Sequence, residues 1–439
     1  MKSLLKNRNF ILYWCATTFS MSASNIVQFV LALYVLDCTG SGAIFAGMLS
    51  IVVVPRLLFT PIAGVGGDRW DKRRMMMILL LCATLVLGMF AGMYKAFNDL
   101  SVLSVFILVI LLEVVETLYN GPGNAVIPAV VDSEELTPAN SLAFVNDAIV
   151  GIFAPLIGGL VYGFAGIFGG LCAAAIANVV ALGLISGMRL PKTVSQQSRG
   201  SMVGDFNSGL KLIRAQNFLR RFVMFNPLIN FFVTPVFTVS LVYVLRQKMG
   251  FSAEFYGITV SVISLISLSV PVLLMGKFRH LELLRVMPGG MVTLLVGLIA
   301  IFAGECFREM GLLSAPFSLA LIFGGTIVAL AISILFNVLG NSLIGSIIPI
   351  EYMARTRSTM MLIATVSVPL GQMVFGFFLD RVMPFWTMLF AVLGTALCAG
   401  LSRLICRGDV STDGLTSSIS DVVQELESDS VAAAKIVRE

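Results

Sequence analysis

The stretch "PIAGVGGDRWDKRRMMM", Pro61 to Met77, interrupts a sequence that is otherwise almost free of charge. For about sixty residues before it, nearly every position is apolar or small, and the apolar sequence resumes directly after it. Six charged side chains fall within seven positions, namely Asp68, Arg69, Asp71, Lys72, Arg73 and Arg74. Charge concentrated between two apolar segments predicts a short turn in water that joins two segments buried in a different solvent.

The composition indicates a membrane protein. Of the 439 residues, 58% are hydrophobic and 12% are charged, whereas a soluble domain carries roughly a quarter charged residues. The polar side chains are too few to cover a water-soluble globule, so the predicted class is an all-α integral membrane protein. The seven cysteines show no CxxC spacing and His280 is the single histidine, so neither a metal site nor a cofactor is expected. The net charge of +5 belongs to basic loops beside lipid headgroups and gives no reason to expect a nucleic-acid partner.

Twelve segments are long enough to cross a bilayer. A helix needs about 20 apolar residues to span the hydrocarbon core, and backbone in lipid must satisfy its own hydrogen bonds, which excludes isolated strands. The predicted membrane helices are 10–36, 42–66, 75–95, 100–127, 141–164, 168–188, 218–245, 253–276, 287–306, 315–343, 359–379 and 385–404.

Basic residues set the predicted orientation. Most of the 29 Lys and Arg residues share one side of the membrane when the amino terminus is placed in the cytoplasm. The positive-inside rule then puts both termini in the cytoplasm. The polar stretch 189–217 is a predicted cytoplasmic linker between a six-helix bundle at 1–188 and a second bundle at 218–404, and 405–439 forms a polar cytoplasmic tail.

The two halves are similar in sequence. "NRNF" at Asn7 matches "AQNF" at Ala215, and "LYVLDCTGSGAIFAGM" at Leu33 matches "VYVLRQKMGFSAEFYGI" at Val242, at an offset of about 208 to 210 residues. Internal repeats of this kind are typical of transporter folds, in which the substrate site lies near mid-membrane where the repeats meet.

The charged turn resembles the signature loop of the major facilitator superfamily, G-x-x-x-D-[RK]-x-G-[RK]-[RK]. The motif positions are occupied in register by Gly64, Asp68, Arg69, Lys72 and Arg73. Asp71 stands where the superfamily usually has glycine. Together with "NRNF", "VLDCTGSG" and "IPAVVDSEELTPANSL", the turn resembles the drug:proton antiporter-3 branch, which includes macrolide exporters and the enterobactin exporter. The resemblance implies two six-helix bundles with pseudo-twofold symmetry in a bacterial cytoplasmic membrane.

The resemblance also gives these five motif residues the role of a cytoplasmic latch. In the family this latch is associated with the outward-open state and breaks when the two halves rock. Asp68 is expected near the positive amino end of the eleventh predicted helix, close to Arg355–Ser358. Gly64 is expected to let the second predicted helix pack closely against a neighbour. The alternative is that the charges only fix the topology.

Ionisable residues inside the predicted helices need a separate account, since each costs a few kcal/mol or more in lipid. Glu113 and Glu116 are three residues apart and share one helix face. Arg56 lies at a similar depth, and we expect it to pair with Glu113 or Glu116, with one carboxylate binding a proton during the cycle. The alternative is a static ion pair within the amino-terminal bundle. Asp147 is a further proton-coupling candidate, with helix-cap or gate chemistry as its other interpretation.

Polar residues on four helices suggest a central cavity. Helices one, four, seven and ten line the cavity in the fold that the chain resembles, and pairs spaced by four residues indicate pore-facing sides, with interhelical hydrogen bonds as the alternative. The expected cavity residues are Asn25, Gln28, Phe29, Asn226, Asn230, Phe231, Asn337 and Asn341. The antiporter motif G-P-x-x-G-G is matched in degenerate form from Ala154, with Pro155, Gly158 and Gly159 as its helix-packing residues.

These features predict a secondary active transporter rather than an enzyme. A wide apolar wall with few polar groups favours amphipathic organic substrates, so the expected activity is proton-coupled efflux of drug-, macrolide- or siderophore-like compounds by alternating access. The lack of GxxxxGK[ST] argues against an ATP-driven pump within this chain. A lipid flippase of the same superfamily and a non-transporting receptor on a transporter fold are the alternatives. The expected partners are the substrate, protons and membrane lipids, and the chain is expected to act as a monomer.

Overall fold

A computed structural model describes residues 4–69, 71–124, 126–189, 210–214, 217–278 and 283–405. The regular secondary structure in these residues is helical. The long helices are α1 Arg8–Thr39, α2 Gly42–Ile51, α3 Val53–Arg69, α4 Lys72–Phe97, α5 Val102–Asn124, α6 Leu136–Ser186, α7 Asn217–Lys248, α8 Ala253–Phe278, α9 Leu283–Glu309, α10 Ala315–Ile347, α11 Ile350–Leu379 and α12 Pro384–Ile405. A short helix, Ile127–Val130, and two 3₁₀ turns, Leu4–Lys6 and Ser133–Glu135, complete the elements. Most of the predicted linker 189–217 and of the predicted tail 405–439 lies outside the described residues.

The helices account for the twelve predicted crossings within the described part of the chain. Ten segments are long and apolar enough to span a bilayer, with α2 and α3 contributing to one span, Gly42–Gly64. One of the ten is α6, whose 51 residues are more than two crossings need. Gly166 breaks α6 into two passes, because its φ of 60° lies in the left-handed region that glycine adopts without strain. The apolar part of α8, Ala253–Ser269, supplies the remaining crossing.

Local side chains explain where the helices begin and end. Asn7 caps α1, its Oδ1 accepting hydrogen bonds from the N–H groups of Asn9 and Phe10 at 3.1 and 3.2 Å. Asn9 in turn exchanges two hydrogen bonds with the backbone of Arg189 after α6. The "NRNF" motif thus starts one helix and fastens it to the end of another.

Packing between the helices groups the chain into two compact units. The first comprises the described residues of Met1–Ser198 and Val242–Ser264; within it α1 packs on α6, α3 on α5, and α4 on both α5 and α6. The second comprises those of Arg199–Leu241 and Leu265–Glu439; within it α9 packs on α10 and α12, and α7 on α11 and α12. The first unit therefore includes the end of α7 and the first turns of α8, which the sequence assigned to the second bundle. The predicted domain boundaries stay a prediction.

Candidate functional site

The structure pairs Arg56 of α3 with Glu113 of α5. Both Nε and Nη2 of Arg56 lie 2.8 Å from Oε1 of Glu113. The Glu113 side chain is 1% exposed and that of Arg56 is 47% exposed. The second carboxylate oxygen of Glu113 is buried without a hydrogen-bond partner among the described residues. Thr117 Oγ1, one turn further along α5, donates a hydrogen bond of 3.5 Å to the same Oε1. The carboxylate is therefore held by one guanidinium from α3 and one hydroxyl from its own helix, and its counter-ion depends on α3 staying close to α5.

Glu116 faces surroundings that differ from those of Glu113. It lines a cavity of about 30 Å³ in the first unit, together with Ser20, Ser24 and Asn178. The ion pairs found in the described part of the chain do not include Glu116. One turn of helix thus separates a paired carboxylate from one that lines a small cavity with a mainly apolar wall.

Asp147 lies on an exposed side of α6. Its neighbour Asn146 is buried, and Thr18 Oγ1 donates a hydrogen bond of 2.7 Å to Asn146 Oδ1. The polar link between α1 and α6 at this level is therefore made by Asn146, and a proton-coupling role for Asp147 stays a prediction.

The charged turn contains a helix cap. Asp71, the departure from the superfamily motif, caps α4: its Oδ1 accepts a hydrogen bond of 3.0 Å from the backbone N–H of Arg74. Arg73 donates to the carbonyl oxygens of Ile185 and Ser186 at the end of α6. A cation at the carbonyl end of a helix is favourable because that end carries a partial negative charge. Arg73 thereby ties the start of α4 to the end of α6 within the first unit.

The other latch residues are described only in part. Lys72 is buried. A Cβ added at Gly64 would meet no described atom within 4 Å, so the expected close helix contact at this glycine is not found among the described residues. The side chains of Asp68 and Arg69, and that of Arg355 on α11, lie outside the description. The latch as a whole stays a prediction.

The glycines of the motif on α6 sit at close contacts. A Cβ on Gly159 would lie 2.9 Å from Gly257 Cα of α8, and a Cβ on Gly257 would lie 2.5 Å from the carbonyl oxygen of Pro155. A Cβ on Gly158 would lie 3.0 Å from the ring of Phe29 on α1. Backbones this close leave room for hydrogen atoms only, which is why small residues are needed where α6 meets α8.

The three cavity residues predicted on α1 do not share one environment. The ring of Phe29 stacks on Tyr256 of α8, with centroids 5.7 Å apart. Asn25 is exposed, and its Nδ2 donates a hydrogen bond of 2.8 Å to the carbonyl oxygen of Met21. Gln28 is partly buried. Their role in a substrate cavity stays a prediction.

A cavity of about 660 Å³ lies within the second unit. It is bounded by α7, α9, α10 and α11, and its walls include phenylalanine, methionine, leucine and isoleucine side chains. The asparagines predicted on α7 and α10 line it, namely Asn226, Asn230, Asn337 and Asn341. Phe231 does not: its ring packs on Phe232 at 5.0 Å between centroids, and its backbone adjoins Gly371 of α11. Phe222, Phe237 and Phe336 supply aromatic side chains to the wall; of these, Phe336 belongs to the apolar wall predicted from the sequence, and Phe222 and Phe237 were not predicted.

The polar groups of this cavity are joined in short chains. Asn230 Nδ2 donates to Asn226 Oδ1 at 2.8 Å. Asn341 Oδ1 accepts a hydrogen bond of 2.7 Å from Nη2 of Arg357 on α11. Among the described residues that line the cavity, Arg357 is the single charged side chain. The cavity therefore offers amide groups and one guanidinium on an otherwise apolar wall.

An ion pair that the sequence analysis missed joins α1 to α7. Nη2 of Arg246 contacts Oδ2 of Asp37, and Tyr162 Oη donates a hydrogen bond of 3.0 Å to the same oxygen. The two charged residues are 209 positions apart, which is the offset of the internal repeat. Opposite charges at equivalent repeat positions were the signal that could have revealed this pair.

A second missed residue is Glu305 near the end of α9. It is 3% exposed, and neither carboxylate oxygen has a hydrogen-bond partner among the described residues. Its position inside the predicted helix 287–306 was the available signal. An unpaired buried carboxylate is unfavourable in its charged form, so we expect Glu305 to be neutral in this conformation.

The arrangement of apolar helices, close glycine contacts and a large amide-lined cavity is that of a membrane transporter. A sequence model described as the Major Facilitator Superfamily matches residues 13–333. The chain belongs to this superfamily. The match covers more than half of the chain and includes the charged turn.

Comparison with individual members of the superfamily agrees with this membership. Macrolide efflux protein A of Streptococcus pyogenes is 24% identical over 381 residues, which cover 85% of this chain and 90% of that protein. A bacterial homologue of the iron transporter ferroportin superposes with a TM-score of 0.67 at 17% identity, covering 92% of this chain and 100% of that one. A bacterial homologue of the human lysosomal transporter Spinster superposes with a TM-score of 0.71 at 15% identity, covering 91% of this chain and 97% of that one. These structures share the fold, and the protein is a transporter rather than an enzyme.

Proposed function

We propose that this protein is a proton-coupled secondary transporter that exports amphipathic organic compounds by alternating access. The observation that carries the proposal is the cavity of about 660 Å³ in the second unit. Its volume falls in the range of roughly 300 to 1,000 Å³ that is usual for sites of small organic ligands. The similarity to a macrolide efflux protein supports export of such compounds.

The lining of the cavity favours substrates with a large apolar body. Phenylalanine rings and flexible methionine side chains adapt to ligands of different shape. The amide groups of Asn226, Asn230, Asn337 and Asn341 supply donors and acceptors for a few polar groups. Arg357 is the charged group among the described lining residues, and its positive charge favours anionic or uncharged compounds, including the uncharged form of an amine such as a macrolide, over protonated amines.

For the coupling step we propose the pair Arg56–Glu113. The guanidinium 2.8 Å away stabilises the ionised form of the Glu113 carboxyl against the cost of its burial. Separation of α3 from α5 would leave a buried carboxylate without its counter-ion, and uptake of a proton then costs less than retention of the charge. Movement of the helices and protonation of Glu113 are thus linked, which is what proton coupling requires.

The test is transport by the purified full-length protein in liposomes of defined lipid. A labelled macrolide should move across the membrane when a pH gradient is imposed, and a protonophore should stop this movement. Glu113→Gln should retain movement down the substrate gradient but lose the response to the pH gradient. Phe336→Ala should weaken transport, whereas Met224→Ala, on the exposed side of α7, should not. An unchanged pH response in Glu113→Gln would remove the coupling proposal.

The two alternatives give different results in the same liposomes. A flippase would translocate a fluorescent lysophospholipid and leave the macrolide behind. A receptor would bind the compound without any flux. The proposed location, a bacterial cytoplasmic membrane with both termini inside, is tested by cysteine labelling of the termini in intact cells. A single band of monomer mass after cross-linking in native membrane would support the proposed monomer.

A further inference from the structure

The large cavity of the second unit carries its charge at one end. Arg357 and Asn341 line it within two helical turns of the point where α10 ends at Ile347 and α11 begins at Ile350. Leu330 lines the same cavity, and the stretch of α10 from Leu330 to Asn341 is about 16 Å long at 1.5 Å per residue. The cavity is therefore elongated along the helices, with a guanidinium near one end.

The guanidinium of Arg357 is held in position and has N–H groups to spare. Its Nη2 donates a hydrogen bond of 2.7 Å to Asn341 Oδ1. Asn341 Nδ2 donates at 2.8 Å to the carbonyl oxygen of Asn337, which fixes the amide with its oxygen toward Arg357. A guanidinium has five N–H donors, and the ion pairs among the described residues do not include Arg357. Within the described part of the chain, most of its donors and its positive charge are thus left for a ligand.

The polar groups deeper in the cavity donate within their own helices. Ser333 Oγ donates to the carbonyl oxygen of Ala329 at 2.8 Å, and Thr238 Oγ1 donates to that of Thr234 at 3.1 Å. Asn337 Nδ2 donates at 3.0 Å to the carbonyl oxygen of Ser333. The other side chains of the wall include leucine, isoleucine, methionine and phenylalanine. The inner part of the cavity therefore suits an apolar body better than a second charged group.

We propose that this cavity recognises an amphiphile with a single anionic head group, a carboxylate or a phosphate, which is bound by Arg357. The apolar body of the ligand lies along the inner part of the cavity. Arginine presents paired N–H groups that match two oxygens of such a head group. Arg357 is then a specificity-determining residue, and Asn341 positions its guanidinium. The inference rests on the proposed function, which it narrows from amphipathic compounds in general to anionic ones.

Binding to the purified full-length protein in nanodiscs of phosphatidylcholine measures this specificity. Decanoate, decanol and decylamine share one alkyl chain and differ in the charge of the head group. Each radiolabelled probe is titrated separately, with correction for its partition into nanodiscs without protein. Decanoate should bind roughly tenfold more tightly than decanol, because charge-assisted hydrogen bonds contribute about that much at a partly hydrated site. Decylamine should bind more weakly than decanol.

A second arm distinguishes a lipid ligand from a soluble one. Lysophosphatidate, whose head group is anionic, is compared in the same nanodiscs with lysophosphatidylcholine, whose head group has no net charge. A preference for the anionic probe in this arm alone assigns the head group to a membrane lipid. A preference for decanoate over decanol assigns it to a soluble compound.

Two variants remove the charge recognition by different routes. Arg357→Gln should weaken binding of the anionic probe roughly tenfold and leave decanol binding unchanged. Asn341→Asp should have the same effect although the arginine is retained, because the new carboxylate pairs with the guanidinium in place of the ligand. Unchanged decanol binding reports that the cavity is intact in both variants. Arg403→Gln, at an exposed arginine on α12 outside the cavity lining, is the matched control and should leave each affinity unchanged.

A basic residue beside a turn between membrane helices can also serve only to fix the topology. In that case Arg357→Gln would leave the affinity for the anionic probe unchanged, or would weaken the anionic and uncharged probes equally, and either result would overturn the proposal. An unmodified protein that binds neither decanoate nor lysophosphatidate saturably would overturn it as well.

The outcomes separate this inference from the proposed function. A preference for anions that depends on Arg357, in a protein that shows no flux driven by a pH gradient, would retain the site and reject proton-coupled export. Macrolide flux that responds to a pH gradient, in a protein without any preference for anionic probes, would retain the function and reject the site.

Discussion

Exchange of the charges at Asp37 and Arg246 tests whether the repeat-equivalent pair stabilises the first unit. Oδ2 of Asp37 accepts from Nη2 of Arg246 and from Tyr162 Oη. The side chains of Asp37 and Arg246 are 31% and 12% exposed, respectively. Arg246 also donates to the carbonyl oxygen of Phe251, so the guanidinium joins α1 to the start of α8. The pair is thus partly shielded from water and belongs to a small network.

The expected magnitude follows from this geometry. At about 4 Å and an effective dielectric constant of 20, two unit charges attract by roughly 4 kcal/mol. Desolvation cancels much of this for a partly shielded pair, so we expect a coupling free energy of about 1–2 kcal/mol. Arg246→Gln alone should lower the free energy of unfolding by more, about 2–3 kcal/mol. It leaves the Asp37 carboxylate with Tyr162 as its one remaining hydrogen-bond donor among those described above, and it also weakens the hydrogen bond to the Phe251 carbonyl.

The assay is a double-mutant cycle on thermal unfolding in one detergent at fixed lipid and salt. It uses Asp37→Asn, Arg246→Gln and the double variant. The exchanged pair, Asp37→Arg with Arg246→Asp, should recover about 1 kcal/mol of the stability lost in the single variants, because the Coulombic attraction is restored. The remaining loss should persist, because a carboxylate at position 246 cannot donate a hydrogen bond to the carbonyl oxygen of Phe251. The exposed pair Asp71–Arg74, with side chains 55% and 84% exposed, is the control and should couple by less than about 0.5 kcal/mol. A coupling below about 0.5 kcal/mol for Asp37 and Arg246 would refute the reasoning.

Three further predictions concern single positions. Gly159→Val should lower the unfolding temperature of the protein and reduce transport, because its Cβ would lie 2.9 Å from a backbone atom of α8 and overpacking typically costs about 1–3 kcal/mol. The control is Gly151→Val on the same helix, where an added Cβ would meet no described atom within 4 Å, and it should have little effect. Equal losses at both positions would contradict the close contact. Glu305→Gln should leave the unfolding temperature unchanged or raise it, measured at pH 8, since the carboxylate has no described partner to lose; a drop of several degrees would show that a partner exists. Asp71→Ala should cost about 1 kcal/mol by removing the cap of α4, with Asp71→Ser restoring most of it, and no loss on the alanine substitution would mean that the cap is unimportant.

The helix positions could be predicted because their causes are local. Lipid demands about 20 apolar residues per crossing and internal hydrogen bonds for each backbone group, and both conditions can be judged from a short window of sequence. The predicted helices beginning at 253 and 315 start at the residues found in the structure, and that ending at 379 ends there. The caps of α1 and α4 also depend on single local residues, Asn7 and Asp71, although they were not predicted from the sequence.

The partners of the charged residues were decided by the tertiary structure. The sequence placed Arg56 level with Glu113 and Glu116 but could not choose between them, because the two carboxylates lie only about 60° apart around α5. Which of them faces Arg56 depends on how α5 is rotated against α3, and that rotation is set by packing. The ring of Phe231 points away from the cavity for the same reason. The repeat offset was visible in the sequence, yet the contact of Asp37 with Arg246 depends on where α1 and α7 meet.

The sequence alone thus determined which segments enter the membrane, since the free energy of transfer into lipid is a property of each segment. Only the packing of the helices decided which side chains share a contact or a cavity, since that depends on the relative rotation and spacing of segments far apart in the chain.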